Sequence, residues 1–226
     1  MKLKLLFVLL VLPAVTIAQN KKKGKGNGVV IIAGKPMTSM DSAMSRQLFF
    51  SALREKTIDN AKLAEDLFRR VLQIDPTNDA ALFELAVLKK NQNKETEGAE
   101  MLQRAITINP DNEWYWIALA DSYQKTNDIN NLENVYNELI RITPDKPDYY
   151  FDKANTFFLQ KRYDDALAVY DKLETVIGIT DDLVTARQKI YLKQGKLDKA
   201  VADMEQIILS NPGELRYYLL LWCSGS

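Results

Sequence analysis

The stretch Ile106–Tyr123, ITINPDNEWYWIALADSY, sets Trp114, Tyr115 and Trp116 directly behind the turn-forming run Asn109, Pro110, Asp111, Asn112. Proline lacks the N–H that an interior helical residue donates, and Asn and Asp favour turns, so one helix must stop here and another start. The three rings at the new start are either a stacking surface for a base or sugar or a structural joint. Recurrence separates the two readings. Pro76, Pro110, Pro144 and Pro212 fall on one ladder with a step of 34 residues, and Gly178 holds the remaining rung. Glycine is the other common helix stopper. Around each rung the order repeats: an apolar periodic segment, a break rich in Asn, Asp, Lys or Gly, a second periodic segment, then the stop.

Aligned on this ladder the chain gives five units, 45–78, 79–112, 113–146, 147–180 and 181–214, and a truncated sixth at 215–226. The third carries Trp116, Leu119, Ala120, Tyr123, Tyr136 and Pro144; the fourth Tyr150, Ala154, Phe157, Tyr163, Ala166 and Tyr170; the fifth Tyr191, Gly195, Ala200, Ile207 and Pro212. Ala64, Phe68, Val71 and Pro76 in the first unit, and Leu82, Leu85, Ala86, Leu102, Ala105 and Pro110 in the second, follow the same spacing. The pattern resembles the tetratricopeptide repeat, a helix-turn-helix unit of this period. The resemblance implies an all-α superhelical solenoid of about five units plus a partial sixth. Glu55 and Lys89 stand where the family has an aromatic, and Gly98 and Leu132 replace a small alanine. Arg187 and Gln188 replace a Leu-Gly pair, which predicts a loosely packed first helix in the fifth unit.

Small residues such as Ala120, Ala154 and Ala166 let a partner backbone approach, and rings such as Tyr123 and Tyr136 fill the space beside them. Trp116 shares its phase with Tyr150 and Tyr218 and reads as a buried structural joint. Tyr115, in phase with Tyr149 and Tyr217, is expected to pack on the preceding unit. Trp114 has no aromatic counterpart, its equivalents being Arg46, Ala80, Asp148 and Asp182. A ring that appears once, at a variable position, suits binding; an indole that shields the turn is the alternative.

Residues 1–18, MKLKLLFVLLVLPAVTIA, read as a signal peptide: two lysines, an apolar run too short to span a bilayer, and small residues before a cut after Ala18. The pattern resembles export signals of Gram-negative bacteria and predicts a periplasmic or secreted protein without a transmembrane segment after cleavage. Residues 19–43 read as a basic, glycine-rich linker carrying a short apolar segment, Val29 to Gly34. From residue 26 onward 24 basic residues face 30 acidic ones, a net charge of −6 that argues against nucleic acid as a partner. The chain has no histidine and one cysteine, Cys223, so no internal disulfide forms and the commonest general base and metal ligand are missing. No cofactor, metal or catalytic residue is expected. The run GKGNG at residues 24–28 lacks the ending of a phosphate loop.

In the family that the chain resembles, first helices line a concave groove. One position of that groove reads Phe49, Phe83, Ile117, Phe151, Thr185 and Leu219; the position four residues on reads Leu53, Val87, Asp121, Asn155 and Lys189. The first column is mostly apolar and the second turns polar toward the C-terminus, with Asn155 and Lys189 too few for a carboxylate clamp. The expected site for a peptide or helix is therefore Phe49, Phe83, Trp114, Ile117, Asp121, Phe151, Asn155 and Lys189. The alternative is that the phenylalanines are core between units. The last segment, LRYYLLLWCSGS, is apolar all round, which predicts either a further helix or self-association through an exposed C-terminal helix. Two roles remain open: a non-catalytic interaction scaffold of the cell envelope, or the interaction region of a larger enzyme or transport or assembly component continuing past Ser226.

Overall fold

Thr38 begins the repeat region with a reciprocal cap. Its hydroxyl accepts from the Asp41 N–H at 3.1 Å, while the Asp41 carboxylate accepts from the Thr38 N–H at 3.0 Å. The structure, a computed structural model, describes residues 37–210 together with 212, 213 and 218. Among them are ten helices and no strand: α1 (Ser39–Thr57), α2 (Ala61–Ile74), α3 (Asp79–Asn91), α4 (Glu95–Ile108), α5 (Glu113–Lys125), α6 (Ile129–Ile142), α7 (Pro147–Leu159), α8 (Tyr163–Ile177), α9 (Asp181–Gln194) and α10 (Leu197–Ser210). Packing runs almost wholly between helices adjacent in sequence, which is the order of a solenoid of helical hairpins. The first helix starts at Ser39, inside the segment read as linker and upstream of Ser45. The cap lies ahead of the proline ladder, so periodicity alone cannot find it. The signal peptide at 1–18, the linker up to residue 36 with its Val29–Gly34 segment, and the sixth unit apart from Tyr218 lie outside the described residues.

Within each hairpin the chain reverses through a left-handed residue: Asp59 at φ 61°, Asn93 at 59°, Asn127 at 53°, Lys161 at 59° and Gly195 at 69°. These five form a second ladder with the same step of 34. Gly, Asn and Asp tolerate this conformation, whereas the Cβ of lysine meets the neighbouring carbonyl there. Between hairpins the turn is closed by side-chain caps ahead of α3, α5 and α9, Asn78 accepting from the Ala81 N–H at 2.9 Å and Thr180 from the Leu183 N–H at 3.3 Å, whereas α7 opens on Pro147 without one.

The opening rings divide by role. The Trp116 indole N–H donates to the Pro110 carbonyl at 2.7 Å, the Tyr150 hydroxyl to the Pro144 carbonyl at 2.8 Å, and the Tyr218 hydroxyl to the Pro212 carbonyl at 3.4 Å. Each ring thus ties the start of a first helix to the stop before it. Trp116 is only half-buried, unlike the buried core ring expected of it, while Tyr150 is fully enclosed. Tyr115 bridges neighbours as expected: its ring centroid lies 5.2 Å from that of Phe83 and its hydroxyl donates to Asp79 at 3.1 Å. The Tyr149 hydroxyl meets Glu113 in the same way, with Lys146 contacting both.

The departures from the aromatic pattern are filled by buried charge. The Lys89 ammonium lies 2.7 Å from Glu65 and 3.3 Å from Glu97. Burial by itself would raise the Glu65 pKa, but hydrogen bonds from Lys89, Arg69 and Gln92 outweigh it and bring the carboxyl down to about 2. Arg187 is enclosed with its guanidinium 2.8 Å from Asp171 and 2.5 Å from Glu174. Leu183, Val184 and Ile190 around Arg187 are buried too, while α9 packs on the preceding α8 more sparsely than α3, α5 and α7 pack on the helices before them, as the missing Leu-Gly pair predicts.

Three outcomes follow from this packing. Tyr150→Ala should lower unfolding free energy by about 3–5 kcal/mol in urea melts, and Trp116→Ala by clearly less, because less of its ring is enclosed. Lys161→Gly should raise stability by about 0.5–1 kcal/mol and Gly195→Ala lower it by about 1 kcal/mol, since both sit at positive φ. Glu65, whose folded pKa lies below its unfolded value of 4.5, contributes stability that is complete above that pH and lost as pH falls toward about 2. Glu65→Gln should flatten the acid limb of stability in that window, measured by urea midpoints at stepped pH.

Candidate functional site

The first helices α1, α3, α5, α7 and α9 repeat at the period of the ladder, so one phase of each forms a row along the solenoid. Phe49, Phe83, Ile117 and Phe151 occupy that row and are all half-buried. Each phenylalanine has a ring neighbour in the core: Phe49 stands edge-on to Phe68 at 5.6 Å, Phe83 meets Tyr115 at 5.2 Å and Phe151 meets Tyr170 at 5.5 Å. The row therefore serves packing with one side of each ring and presents the remainder to solvent. Phe50, absent from the sequence-derived set, is exposed beside Phe49 and helps line an open pocket of about 410 Å³ with Met37, Arg46 and Asn78. The adjacent Phe49-Phe50 pair was its signal, since neighbouring helical residues point about 100° apart and one of two rings must face outward.

Trp114, Ile117 and Asp121 fall at spacings of three and four on α5 and share a face. Trp114 is 68% exposed, and its backbone N–H is capped by the Asn112 side chain at 3.1 Å. Two tryptophans separated by one residue thus have opposite fates: Trp116 spends its N–H on a proline carbonyl, whereas the Trp114 indole is turned to solvent.

The polar end of the row is partly committed. Asp121 accepts ion pairs from Lys90 at 2.8 Å and Lys125 at 3.1 Å, and Lys90 also donates to the Ala118 carbonyl at 2.7 Å. Burial alone would raise the Asp121 pKa; hydrogen bonds from the two lysines overcome it and hold the carboxyl below its ordinary range. One hairpin earlier Lys56 reaches Glu84 at 2.5 Å, so the last turn of one first helix grips the middle of the next. Asn155 and Lys189 are exposed, Asn155 one turn beyond Phe151 on α7 and Lys189 on α9 with its ammonium 4.9 Å from the Phe158 ring centre. The eight expected residues thus lie along successive first helices, with Asp121 engaged by lysines of this chain and Trp114, Asn155 and Lys189 open.

Among the described residues no group of three or more His, Cys, Asp or Glu is placed to hold a metal ion. No helix among them is long and apolar enough to cross a membrane.

Solved structures with this fold include MamA, at 14% identity and a TM-score of 0.59, covering 78% of this chain and 96% of that one. A tetratricopeptide repeat protein from Parabacteroides merdae superposes with a TM-score of 0.58 at 16% identity, covering 80% of this chain and 73% of that one. YrrB, described as a TPR protein with an unusual peptide-binding site, gives 0.56 at 12% identity over 81% of this chain and 97% of its own. At such identities the likeness concerns the fold. No curated protein matches the chain. Three family models, each described as tetratricopeptide repeat, match residues 80–112, 117–178 and 189–214, together just over half of the chain. The chain belongs to the tetratricopeptide repeat family, a scaffold for binding protein or peptide partners that is typically non-catalytic.

Proposed function

We propose that this protein is an exported, non-catalytic scaffold of the bacterial cell envelope that holds a peptide or helix of a partner in the groove of its first helices. The observation that carries the reading is Trp114: a 68% exposed indole on the same face of α5 as Ile117, next to a row of half-buried phenylalanines. Leaving a tryptophan in water forgoes burial of the largest apolar side chain, and a partner that covers it recovers that area. Exposed aromatic anchors of this type dominate binding free energy at protein interfaces. The apolar row gives a segment area to cover, and Asn155 and Lys189 give it polar contacts at one end, fixing its direction. Lysine pairing of Asp121 makes that carboxylate a support for the α3–α5 joint more than a ligand contact. Export rests on the leader-like residues 1–18.

The test is site-specific photocrosslinking in living Gram-negative cells expressing the full chain, with the crosslinker at residue 114 and, as control, at the exposed Asp66. A discrete adduct expected at 114 and missing at 66 identifies the partner segment; the same diffuse products from both positions would end the proposal. With the segment in hand, Trp114→Ala should weaken its binding by about 2 kcal/mol or more, the range of an interface hot spot. The same variant should shift folding stability by less than about 0.5 kcal/mol, as expected for a surface substitution.

A further inference from the structure

A second surface of the solenoid, formed by second helices, repeats with the same period. Between α4 and α6, floored by α5, lies a furrow of about 280 Å³ lined by neutral side chains including Gln103, Thr107, Leu119, Tyr123 and Asn131. The furrow one unit on, between α6 and α8 and floored by α7, is lined by the residues at the same phase: Asn137, Arg141, Lys153, Phe157 and Asp165. It holds about 710 Å³ and is bordered by Lys172 as well. Lys153 thus takes the place of Leu119. It lies two residues from Phe151, about 200° around the helix, so this furrow is distinct from the first-helix row.

One further unit on, the same phase carries Arg187, a cation that is fully enclosed. There the chain supplies the counter-charge itself: Asp171 at 2.8 Å, Glu174 at 2.5 Å and Asp203 at 3.8 Å. The residues in phase with those three acids in the preceding furrow are Asn137, Ile140 and Val169, none of them charged. The Lys153 ammonium donates to the Asn137 amide oxygen at 2.6 Å and has no carboxylate within ion-pair distance among the described residues. Arg162 does not relax this deficit, because Glu133 at 3.0 Å and Asp165 at 2.6 Å are both spent on it. Burial, helped by the like charge of Lys172 and opposed by Glu133, holds the Lys153 pKa below the ordinary lysine value. A half-buried ammonium without an anion costs stability that an arriving carboxylate restores.

We propose that the furrow between α6 and α8 is a binding site for a carboxylate attached to an apolar group, with Lys153 as its anchor and Ile140, Phe157 and Val169 as its apolar wall. The ligand supplies to Lys153 what Asp171 and Glu174 supply to Arg187. Such a group is carried by a peptide, either as a chain-terminal carboxylate behind a bulky residue or as an acidic side chain beside one. The site does not depend on the first-helix groove.

The test uses the intact chain and three probes followed by heteronuclear NMR: N-acetylphenylalanine, with a terminal carboxylate; N-acetylglutamyl-phenylalaninamide, with a side-chain carboxylate; and N-acetylphenylalaninamide, with none. Saturable shifts centred on Lys153 and Phe157 are expected with one or both carboxylates, and which of them binds assigns the source. The amide should bind about tenfold more weakly or worse, the fold-change of one charge-assisted hydrogen bond. Lys153→Leu, which restores the side chain of the preceding furrow, and Asn137→Asp, which places a carboxylate inside, should each remove binding to a similar extent while the rest of the spectrum stays folded. Amide binding equal to the acids, inorganic phosphate binding equal to N-acetylphenylalanine, undiminished affinity in either variant, or no shift with either acid would overturn the proposal.

Discussion

A Cβ placed on Gly98 would stand 3.1 Å from the Ala86 carbonyl and 2.9 Å from the Lys90 Cγ, so α3 and α4 approach closely enough to exclude even a methyl group without adjustment. Close approach of paired helices is the constraint on which the rest of the molecule depends. It is met by small buried residues at one phase, Ala64, Gly98, Ala166 and Ala200, and by rings that fill the space left beside them. Helices held this close turn their remaining apolar stripes outward, and the next hairpin covers them. The third hairpin carries Leu132 at the small position, buried, and so must admit a longer side chain between α5 and α6. Stacking is then fixed by polar joints as well as by packing: rings that hold the preceding proline carbonyl, and the Tyr115–Asp79 and Tyr149–Glu113 bonds that span neighbouring hairpins.

Much of this was legible in the sequence because prolines, small residues and aromatics announce the period directly. What escaped was whatever depends on partners distant in sequence or on backbone conformation. The left-handed ladder is visible as Asp59, Asn93, Asn127 and Gly195, all good formers of that turn, but Lys161, a poor one, interrupts it. The Thr38–Asp41 cap lies outside the repeat register. Lys89 showed as a gap in an aromatic column, yet its acid, Glu65, is 24 residues away on α2 and nothing local pairs them. The shared phase of the expected groove residues follows from spacing alone, whereas the division of each phenylalanine between core and solvent depends on ring neighbours such as Phe68 and Tyr170. Trp114 stood out by lacking aromatic equivalents, and its indole is indeed the one left outside. Lys153 carries no signal in the sequence, because its phase is that of the core leucine Leu119.

Each first helix therefore works on more than one side. On α7, Phe151 and Asn155 belong to the first-helix row, Tyr150 to the joint with the preceding stop, and Lys153 and Phe157 to the furrow between second helices. Four of these five positions are read from spacing alone; the role of Lys153 emerges only when three consecutive furrows are compared. The series Leu119, Lys153, Arg187 passes from an apolar plug, through a cation held by an amide, to a cation enclosed by acids.

That series has an energetic cost that the architecture localises. Around Arg187 the guanidinium Nε and the Asp203 Oδ2 are buried without hydrogen-bond partners, and burial raises the Asp203 pKa against the attraction of Arg187. In a single globular core such groups weaken the whole domain, because every part shares one cooperative interior. In a stacked array, stability is approximately a sum of hairpin and nearest-neighbour terms, so imperfect charge in the last two units leaves the apolar joints among α1 to α6 intact. The C-terminal half of the solenoid can therefore carry lysine and arginine at core-facing phases, which the same chain fills with leucine in its second and third units, Leu85 and Leu119, without loss of the fold upstream.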